Sequence, residues 1–242
     1  MFDHVTIRAA DRAASERFYA TVLGVLGLEP RRGETYTEWK EFSLAAASPE
    51  RPATRGLHVG FYAPTRELVD AFWRAGVEAG YRDDGAPGPR PQYSADYYGA
   101  FLLDPDGNSA EAVTHGTPRE GLIDHLWIRV EDVDAATSFY ATVAPFAGFS
   151  PGRRLADPDR TIFETDGRGS FSVVDGPPTE HVHVAFPAAE NATVDAFHAA
   201  AVGAGYRDGG APGERREYHP GYYGAFVLDP DDNNVELVCH NR

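Results

Sequence analysis

The chain has 242 residues, a formal net charge of −15 at neutral pH and a pI near 4.9. Nucleic acid and anionic membranes are disfavoured as partners, because a negative surface repels both. No apolar run reaches membrane-spanning length, MFDHVTIR enters a strand pattern with no signal peptide, and a lone Cys239 excludes an internal disulfide, so we expect a cytoplasmic protein.

The first half of the chain predicts the order strand, helix, strands, and then the same order again. Residues 2–8 alternate between apolar and polar side chains, which is typical of a strand with one buried face. Helical spacing predicts a helix over 11–23 and another over 65–79, with Thr65 as a cap. The apolar stripe predicted for the second helix is Leu68, Phe72, Ala75 and Ala79. The turn sequence Asp-Pro-Asp-Gly at 104–107 predicts a hairpin between the last two strands.

The second half repeats the first. The stretch YYGAFLLDPDGNSAE at 97–111 returns as YYGAFVLDPDDNNVE at 222–236, with eleven of fifteen positions identical. The phrases HVGF and HVAF align in the same way, as do DHVTIR and DHLWIR near the start of each half. The chain is therefore one unit written twice, and we predict domains at 1–116 and 121–242 joined by a short linker. Each domain is predicted to contain two βαβββ modules.

These motifs resemble the vicinal oxygen chelate superfamily, which includes glyoxalase I, extradiol dioxygenases, and bleomycin and fosfomycin resistance proteins. The resemblance rests on the DHVTIR strand followed by a helix, the HVGF strand before a second helix, and FLLDPDGN followed by glutamate. It extends over nearly the whole of each half of the chain. It implies an α+β fold of two tandem glyoxalase/bleomycin-resistance-like domains, whose paired βαβββ modules form a U-shaped mixed sheet around a metal.

The resemblance also implies a set of metal ligands, contributed by the first strand, by the strand that opens the second module, and by the last strand. Strand alternation agrees with this set, because His4 lies opposite Val5 and Ile7, and Glu236 lies opposite Val235. The implied ligands, grouped by half, are His4, His58 and Glu111, then His125, His183 and Glu236. Two imidazoles and a carboxylate leave open positions on a divalent ion, and the set suits Fe, Mn, Ni or Zn.

Further residues are predicted around the metal. Arg8 and Arg129 share the inner face, where they could form salt bridges at the rim or hold an anion, and Trp127 could stack on a planar ligand or fill space. One tyrosine of each Tyr-Tyr pair is expected to pack in the core and the other to line the pocket. The predicted substrate-binding residues are Tyr98, Tyr223, Arg8, Arg129 and Trp127. His115 and His240 are predicted as solvated residues, with outer-shell donors or spare ligands as alternatives, and His181 is a rival to His183.

The chain departs from two members of the superfamily at specific positions. Glyoxalase I has a carboxylate ligand where this chain has Ser43 and Ser172, although Glu41 lies on the same strand face as Ser43. Extradiol dioxygenases have a tyrosine where this chain has Phe101 and Phe226. They also have an upstream histidine, which is matched here by His219 in one half and replaced by Ser94 in the other.

The resulting prediction is a metal-dependent enzyme that binds two oxygens of a small substrate and stabilises an enolate-like state by Lewis acidity. Lyase, isomerase and ring-cleaving activities all remain open. The alternative is a metal-free protein of the bleomycin-resistance type that sequesters a small molecule. The halves are expected to form a pseudo-dimer within one chain, which would allow a monomer.

Overall fold

The computed structural model describes residues 1–116, 118–165 and 169–241. The linker predicted between the two domains and the end of the second domain at 242 therefore lie partly outside the described residues. The first half contains β1 (His4–Ala9), α1 (Arg12–Gly24), β2 (Arg31–Arg32), β3 (Tyr36–Trp39), β4 (Phe42–Ala46), β5 (His58–Tyr62), α2 (Arg66–Glu78), β6 (Arg82–Pro89), β7 (Tyr98–Leu103) and β8 (Ser109–Thr114). The second half contains β9 (Ile123–Val130), α3 (Val133–Ala147), β10 (Ser150–Ala156), β11 (Asp159–Glu164), β12 (Ser170–Asp175), β13 (His183–Pro187), α4 (Asn191–Gly203), β14 (Arg207–Glu214), β15 (Tyr223–Leu228) and β16 (Asn234–Cys239).

The strands form two eight-stranded mixed sheets, which confirms the predicted α+β class and the βαβββ modules. The first sheet has the order β14-β15-β16-β13-β1-β4-β3-β2 and the second has the order β10-β11-β12-β9-β5-β8-β7-β6. Each sheet therefore takes one module from each half of the chain. The antiparallel pairs β1–β13 and β5–β9 join the two halves at the centre of each sheet, with Val5 opposite Val184 and Val59 opposite Leu126.

Each helix begins directly after its N-cap residue. Asp11, Thr65 and Asp132 precede α1, α2 and α3, and each accepts a hydrogen bond from a backbone N–H of the first turn. Glu190 precedes α4 and makes no such bond. The predicted helix starts at 11 and 65 thus correspond to caps, one residue before the helices themselves.

The buried side of α2 differs from the predicted stripe. Its buried residues are Val69, Phe72 and Gly76, whereas Ala79 is exposed. A Cβ on Gly76 would lie 2.3 Å from Cδ1 of Leu102, so the helix packs on β7 at a distance that only glycine allows. A stripe read from apolar residues alone misses this contact.

The core between helices and sheets is rich in aromatic side chains, including Tyr19 and Tyr140, which are fully buried. Their hydroxyl groups donate to Asp104 at 3.0 Å and to Asp229 at 3.3 Å, respectively. These two aspartates also accept backbone N–H bonds within the turns between the last two strands of each half, and Asp104 thereby forms the turn predicted at 104–107. Within the described ranges, no helix is both long and apolar enough to cross a membrane.

Candidate functional site

Two clusters of possible metal ligands lie on the sheets, on the faces opposite the helices. The enclosed cluster consists of His58, Glu111 and His125, and the open cluster consists of His4, His183 and Glu236. In each cluster, one ligand atom from every residue lies within 4.8 Å of the others. The six predicted ligand residues therefore converge into two groups of three.

The grouping by half is wrong. His125 of the second half lies with His58 and Glu111 of the first, and His4 lies with His183 and Glu236. The physical reason is the strand pairing, because β9 pairs with β5, and β1 with β13. The sequence could not distinguish these pairings, since β5 and β13 are copies of one strand and present nearly the same edge.

The enclosed cluster is compact. The Nε2 atom of His58 lies 3.0 Å from Oε2 of Glu111 and 3.1 Å from Nε2 of His125. The third side of the triangle, from His125 Nε2 to Glu111 Oε2, is 3.2 Å. All three residues are buried, with Glu111 only 1% exposed.

The open cluster has the same atoms in a looser arrangement. His4 Nε2 lies 3.0 Å from His183 Nε2, and His183 Nε2 lies 3.1 Å from Glu236 Oε2, but His4 Nε2 is 3.6 Å from that oxygen. The His4 side chain is 26% exposed, against 9% for His125. The difference in exposure between His4 and His125 arises from the residue that lies beneath each imidazole ring. A Cβ on Gly60 would lie 2.3 Å from Cε1 of His125, and Ala185 stands at the matching position opposite His4.

The carboxylates are held by tyrosines. Tyr97 donates its hydroxyl proton to Oε1 of Glu111 at 2.7 Å, and Tyr222 donates to Oε1 of Glu236 at 2.7 Å. In each case the other oxygen, Oε2, faces the histidines. Gly99 makes room for this arrangement, because a Cβ there would lie 2.3 Å from Glu111 Oε1.

An aspartate orients one histidine of each cluster, His125 in the enclosed cluster and His4 in the open cluster. Asp124 accepts from Nδ1 of His125 and from Nε2 of His115, both at 2.9 Å. Because a carboxylate only accepts, the proton of neutral His125 sits on Nδ1, and the Nε2 lone pair points at the cluster. His115 is thus an outer-shell donor, which was one of the predicted alternatives.

The open cluster has a longer chain of such bonds. Asp3 accepts from His4 Nδ1 and from His240 Nε2, both at 2.8 Å. His240 Nδ1 in turn lies 2.9 Å from Nε2 of His219. His219 therefore acts through two intervening groups and does not reach the cluster directly.

The electrostatics of the enclosed cluster favour a positive charge at its centre. Burial would raise the pKa of Glu111, but hydrogen bonds and charge from His125 and His58 outweigh this and lower it to about 2. Burial would lower the pKa of His125, but Asp124 and Glu111 overcome that effect and raise it to about 10. For His58, burial wins and its pKa is lowered despite Glu111. The cluster therefore holds an ionised carboxylate, a neutral imidazole and an imidazolium near pH 7.

These residues fit a divalent metal ion. Once the His125 imidazolium gives up its Nε2 proton, its Nε2 lone pair, one His58 nitrogen and Glu111 Oε2 all converge on one point as acceptors. Only shared protons relieve their mutual repulsion, and a cation would replace them. Two imidazole nitrogens and a carboxylate oxygen form the donor set of a facial triad.

The wall of the enclosed cluster is aromatic. The ring of Trp127 lies 5.6 Å from that of His58, and Tyr93 packs edge-on against Trp127 at 5.8 Å. Phe101 lies on the other side, 5.9 Å from His58. The predicted position of Trp127 beside the ligands is therefore observed, and its stacking on a substrate stays a prediction.

The other predicted substrate residues divide into two groups. Tyr98 and Tyr223 donate to Asp70 of α2 and Asp195 of α4, so they face the helices, and their predicted place in the pocket is wrong. The tyrosines on the pocket side are instead Tyr97 and Tyr222, one residue earlier.

Arg8 and Arg129 lie on the ligand-bearing faces of β1 and β9. Arg129 donates to the carbonyl of Gly56 at 2.7 Å, and Arg8 donates to that of Ala46 at 3.4 Å. Their binding of an anion stays a prediction.

The residues that depart from the relatives also have defined places. Ser43 bonds to the hydroxyl of Thr6 at 2.6 Å. Glu41 accepts backbone N–H groups of Leu122 and Ile123 and so supports the start of β9, not a metal. His181 is exposed and is not in either cluster.

Sequence reasoning missed three kinds of residue. Asp3 and Asp124 were available, because each precedes the repeated histidine in the DH pair. The role of Gly60 was visible only as the Gly/Ala difference between HVGF and HVAF. Arg160, whose guanidinium carbon lies 4.9 Å from the centre of the Trp127 ring, carried no signal in the sequence, since it lies where the two halves align poorly.

Comparison with known proteins agrees with this geometry. Residues 1–112 match the family model described as "Glyoxalase/Bleomycin resistance protein/Dioxygenase superfamily". A glyoxalase/bleomycin resistance protein from Albidiferax ferrireducens is 32% identical over 47% of this chain and 98% of its own, with a TM-score of 0.43. The chain belongs to the glyoxalase/bleomycin resistance protein/dioxygenase superfamily.

Solved structures share the whole fold. Glyoxalase I from Zea mays superposes with a TM-score of 0.69 at 18% identity, covering 99% of this chain and 92% of its own. Its V278E mutant gives a TM-score of 0.71 at 19% identity, with 99% and 92% covered. No curated protein sequence matches the chain significantly.

Proposed function

We propose that this protein is a metal-dependent enzyme that acts on a small substrate with two neighbouring oxygen atoms. The observation that supports it most is the convergence of two nitrogen donors and one carboxylate oxygen in both clusters, each with its own orienting partners. Maintaining such polar convergence in buried positions is costly without a bound cation.

The donor set leaves room for a chelating substrate. A divalent ion held by three protein ligands has open positions for two substrate oxygens. When bound, the ion would act as a Lewis acid that stabilises negative charge developing on those oxygens.

The protein residues have distinct tasks in this proposal. Asp124 fixes the His125 ring and its tautomer, and Tyr97 keeps Oε1 of Glu111 occupied so that only Oε2 faces the centre. Trp127 and Phe101 limit the access of water on either side of His58.

The positions at which this chain differs from glyoxalase I and extradiol dioxygenases narrow the range of reactions that it could catalyse. Serines stand at both positions of the carboxylate that the resemblance assigns as a fourth ligand in glyoxalase I, and Glu41 is bound to the start of β9. Isomerisation of a thiohemiacetal through a carboxylate base is therefore less well supported than chemistry that needs only three ligands. Phe101 and Phe226 likewise offer no hydroxyl where extradiol dioxygenases have tyrosine.

The test begins with metal content. Protein purified without chelators or a histidine tag should hold up to two equivalents of divalent metal, one for each cluster. His58→Ala and His183→Ala should each remove one equivalent, and the double variant both. His198→Ala is the matched control, because His198 lies on α4 and bonds only to Asp208 among the described side chains.

Activity is then measured against catechols and 2-oxoaldehyde adducts, two classes with neighbouring oxygens. Turnover that follows the metal content of the variants supports the proposal. Metal-free protein that binds these compounds equally well with and without His58 and His183 would refute it and favour sequestration.

A further inference from the structure

Arg160 is a buried cation that has no anionic partner among the residues that the structure describes. Its side chain begins on β11, and the residue is 8% exposed. Among the described residues it has no salt bridge, and its Nη1 atom is buried without a hydrogen-bond partner. Burying an unpaired charge is expensive, so such a group points to a missing anion.

Arg160 lies at the edge of the enclosed cluster. Its guanidinium carbon is 4.9 Å from the centre of the Trp127 ring, and that ring is 5.6 Å from His58. The cation–π contact offsets part of the burial cost, but it satisfies none of the N–H groups. Arg160 and His58 therefore both neighbour the same Trp127 ring.

The neighbouring arginines each have a hydrogen-bond acceptor. Arg129 donates to the carbonyl of Gly56, and Arg90, which lies over Phe101, donates to that of Ala86 at 2.8 Å. Arg160 therefore differs from both, because its buried Nη1 atom has no acceptor among the described residues.

At the open cluster, Tyr36 stands at the position that matches Arg160. In the second sheet Arg160 pairs with Val174, and in the first sheet the equivalent pairing joins Tyr36 with Ala45. Trp127 is likewise replaced by Thr6, because DHLWIR aligns with DHVTIR. The two clusters thus share ligands but differ in the walls that would contact a substrate.

We propose that Arg160 binds a carboxylate group carried by the substrate of the enclosed cluster, so that this site selects anionic molecules with two neighbouring oxygens. The assignment rests on the proposed function of the cluster. The planar guanidinium can donate two parallel hydrogen bonds to a carboxylate, which fits the geometry of the group better than that of a neutral ester.

The experiment compares 3,4-dihydroxybenzoate with its methyl ester, which keeps the two hydroxyls and loses the charge. Binding to the metal-loaded protein is followed by tryptophan fluorescence, in which Trp127 reports on the enclosed cluster. The acid should bind at least about tenfold more tightly than the ester, the ratio expected for a charge-assisted hydrogen bond. Equal binding of the two, or no binding of the acid, would overturn the proposal without any variant.

Variants of Arg160 show whether this residue causes the preference for the acid over the ester. Arg160→Met should abolish the preference for the acid while leaving ester binding and metal content unchanged, and Arg160→Lys should retain part of it. Tyr36→Met, at the matching position of the open cluster, should leave the preference intact. A preference that persists in Arg160→Met overturns the proposal.

The two proposals fail separately. Stoichiometric metal with no preference for the acid removes the role of Arg160 and leaves the metal enzyme in place. Metal-free protein that still prefers the acid, and loses that preference in Arg160→Met, removes the metal enzyme and leaves the anion site. Benzoate, which lacks the two hydroxyls, should bind more weakly than 3,4-dihydroxybenzoate if both parts of the site act together.

Discussion

At the scale of single residues, a methyl group distinguishes the two clusters. Gly60 lies under the ring of His125 with no space for a Cβ, whereas Ala185 occupies the equivalent position under His4. The histidine over alanine is the more exposed one and stands farther from its glutamate.

Exchanging glycine and alanine at these two positions should therefore exchange the metal affinities of the two clusters. Gly60→Ala should weaken metal binding at the enclosed cluster by about 10–100-fold, the usual effect of disturbing an outer-shell support. Ala185→Gly should strengthen binding at the open cluster. Metal titration of each variant measures both constants, and unchanged affinities would contradict this account.

The tyrosines that hold the glutamates allow a second comparison. Tyr97→Phe removes the hydroxyl that bonds Oε1 of Glu111 and keeps the ring, so the carboxylate can rotate. We expect metal affinity at the enclosed cluster to fall about 10–100-fold, with a small change in stability.

Tyr222→Phe should do the same at the open cluster only. Tyr98→Phe, on the helix side, is the matched control and should leave both constants unchanged.

Metal binding at the enclosed cluster should release a proton. The pKa of His125 is raised to about 10, so this imidazole is protonated at pH 7 and must lose the proton to become a ligand. Glu111, with a pKa of about 2, is already ionised, and the lowered pKa of His58 leaves that ring neutral. Affinity should therefore rise about tenfold per pH unit above pH 7 and level off near pH 10.

Calorimetric titration in two buffers with different ionisation enthalpies measures this release. Asp124→Asn removes the carboxylate that raises the pKa of His125 and should reduce the number of protons released. A binding enthalpy that is independent of buffer in the native protein would contradict the expectation.

At the scale of elements, the four helices differ in their N-terminal caps. Thr65 accepts a hydrogen bond from the N–H of Leu68, and Glu190 accepts none at the start of α4. Thr65→Ala should lower the free energy of unfolding by about 1 kcal/mol, and Glu190→Thr should raise it by about 0.5–1 kcal/mol. Chemical denaturation of both variants checks the pair, and equal destabilisation would contradict it.

Most elements could be predicted from the sequence because their signals are local. Helix caps, strand alternation and the Asp-Pro-Asp-Gly turn depend on neighbouring residues, and each was found close to its predicted place. The buried side of α2 could not be predicted, since it depends on Leu102 of another element and on the missing side chain of Gly76. The prediction that Tyr98, and not Tyr97, faces the candidate ligands was wrong for a similar reason, because other residues cover both faces of β7.

At the scale of the whole molecule, all six candidate ligand residues could be predicted from the sequence, whereas their grouping into clusters could not. A repeat identifies equivalent positions, but two equivalent strand edges are indistinguishable from sequence, so the pairing of β1 with β13 needed the structure.

This pairing has a direct test in separated halves. Residues 1–116 alone contain β1 and β5 but neither of their central partners, β13 and β9. We expect this half not to form a stable monomer, because an exposed central strand edge seeks a partner. It should either aggregate or form a dimer with two copies of the missing pairing.

Mixing the two halves, 1–116 and 121–242, should restore a 1:1 complex that binds metal. Size-exclusion chromatography with light scattering distinguishes these states. A folded monomeric half that binds one metal ion would contradict the cross-half arrangement.

The shared sheets also bear on how such a chain can change over time. His4 and His58 belong to one copy of the repeat, yet each serves a different cluster. Neither copy can decay into an inert appendage, because each contributes candidate ligand residues to both clusters. The walls themselves, such as Arg160 opposite Tyr36, remain free to diverge, so a duplicated gene of this kind could acquire two specificities while retaining one architecture.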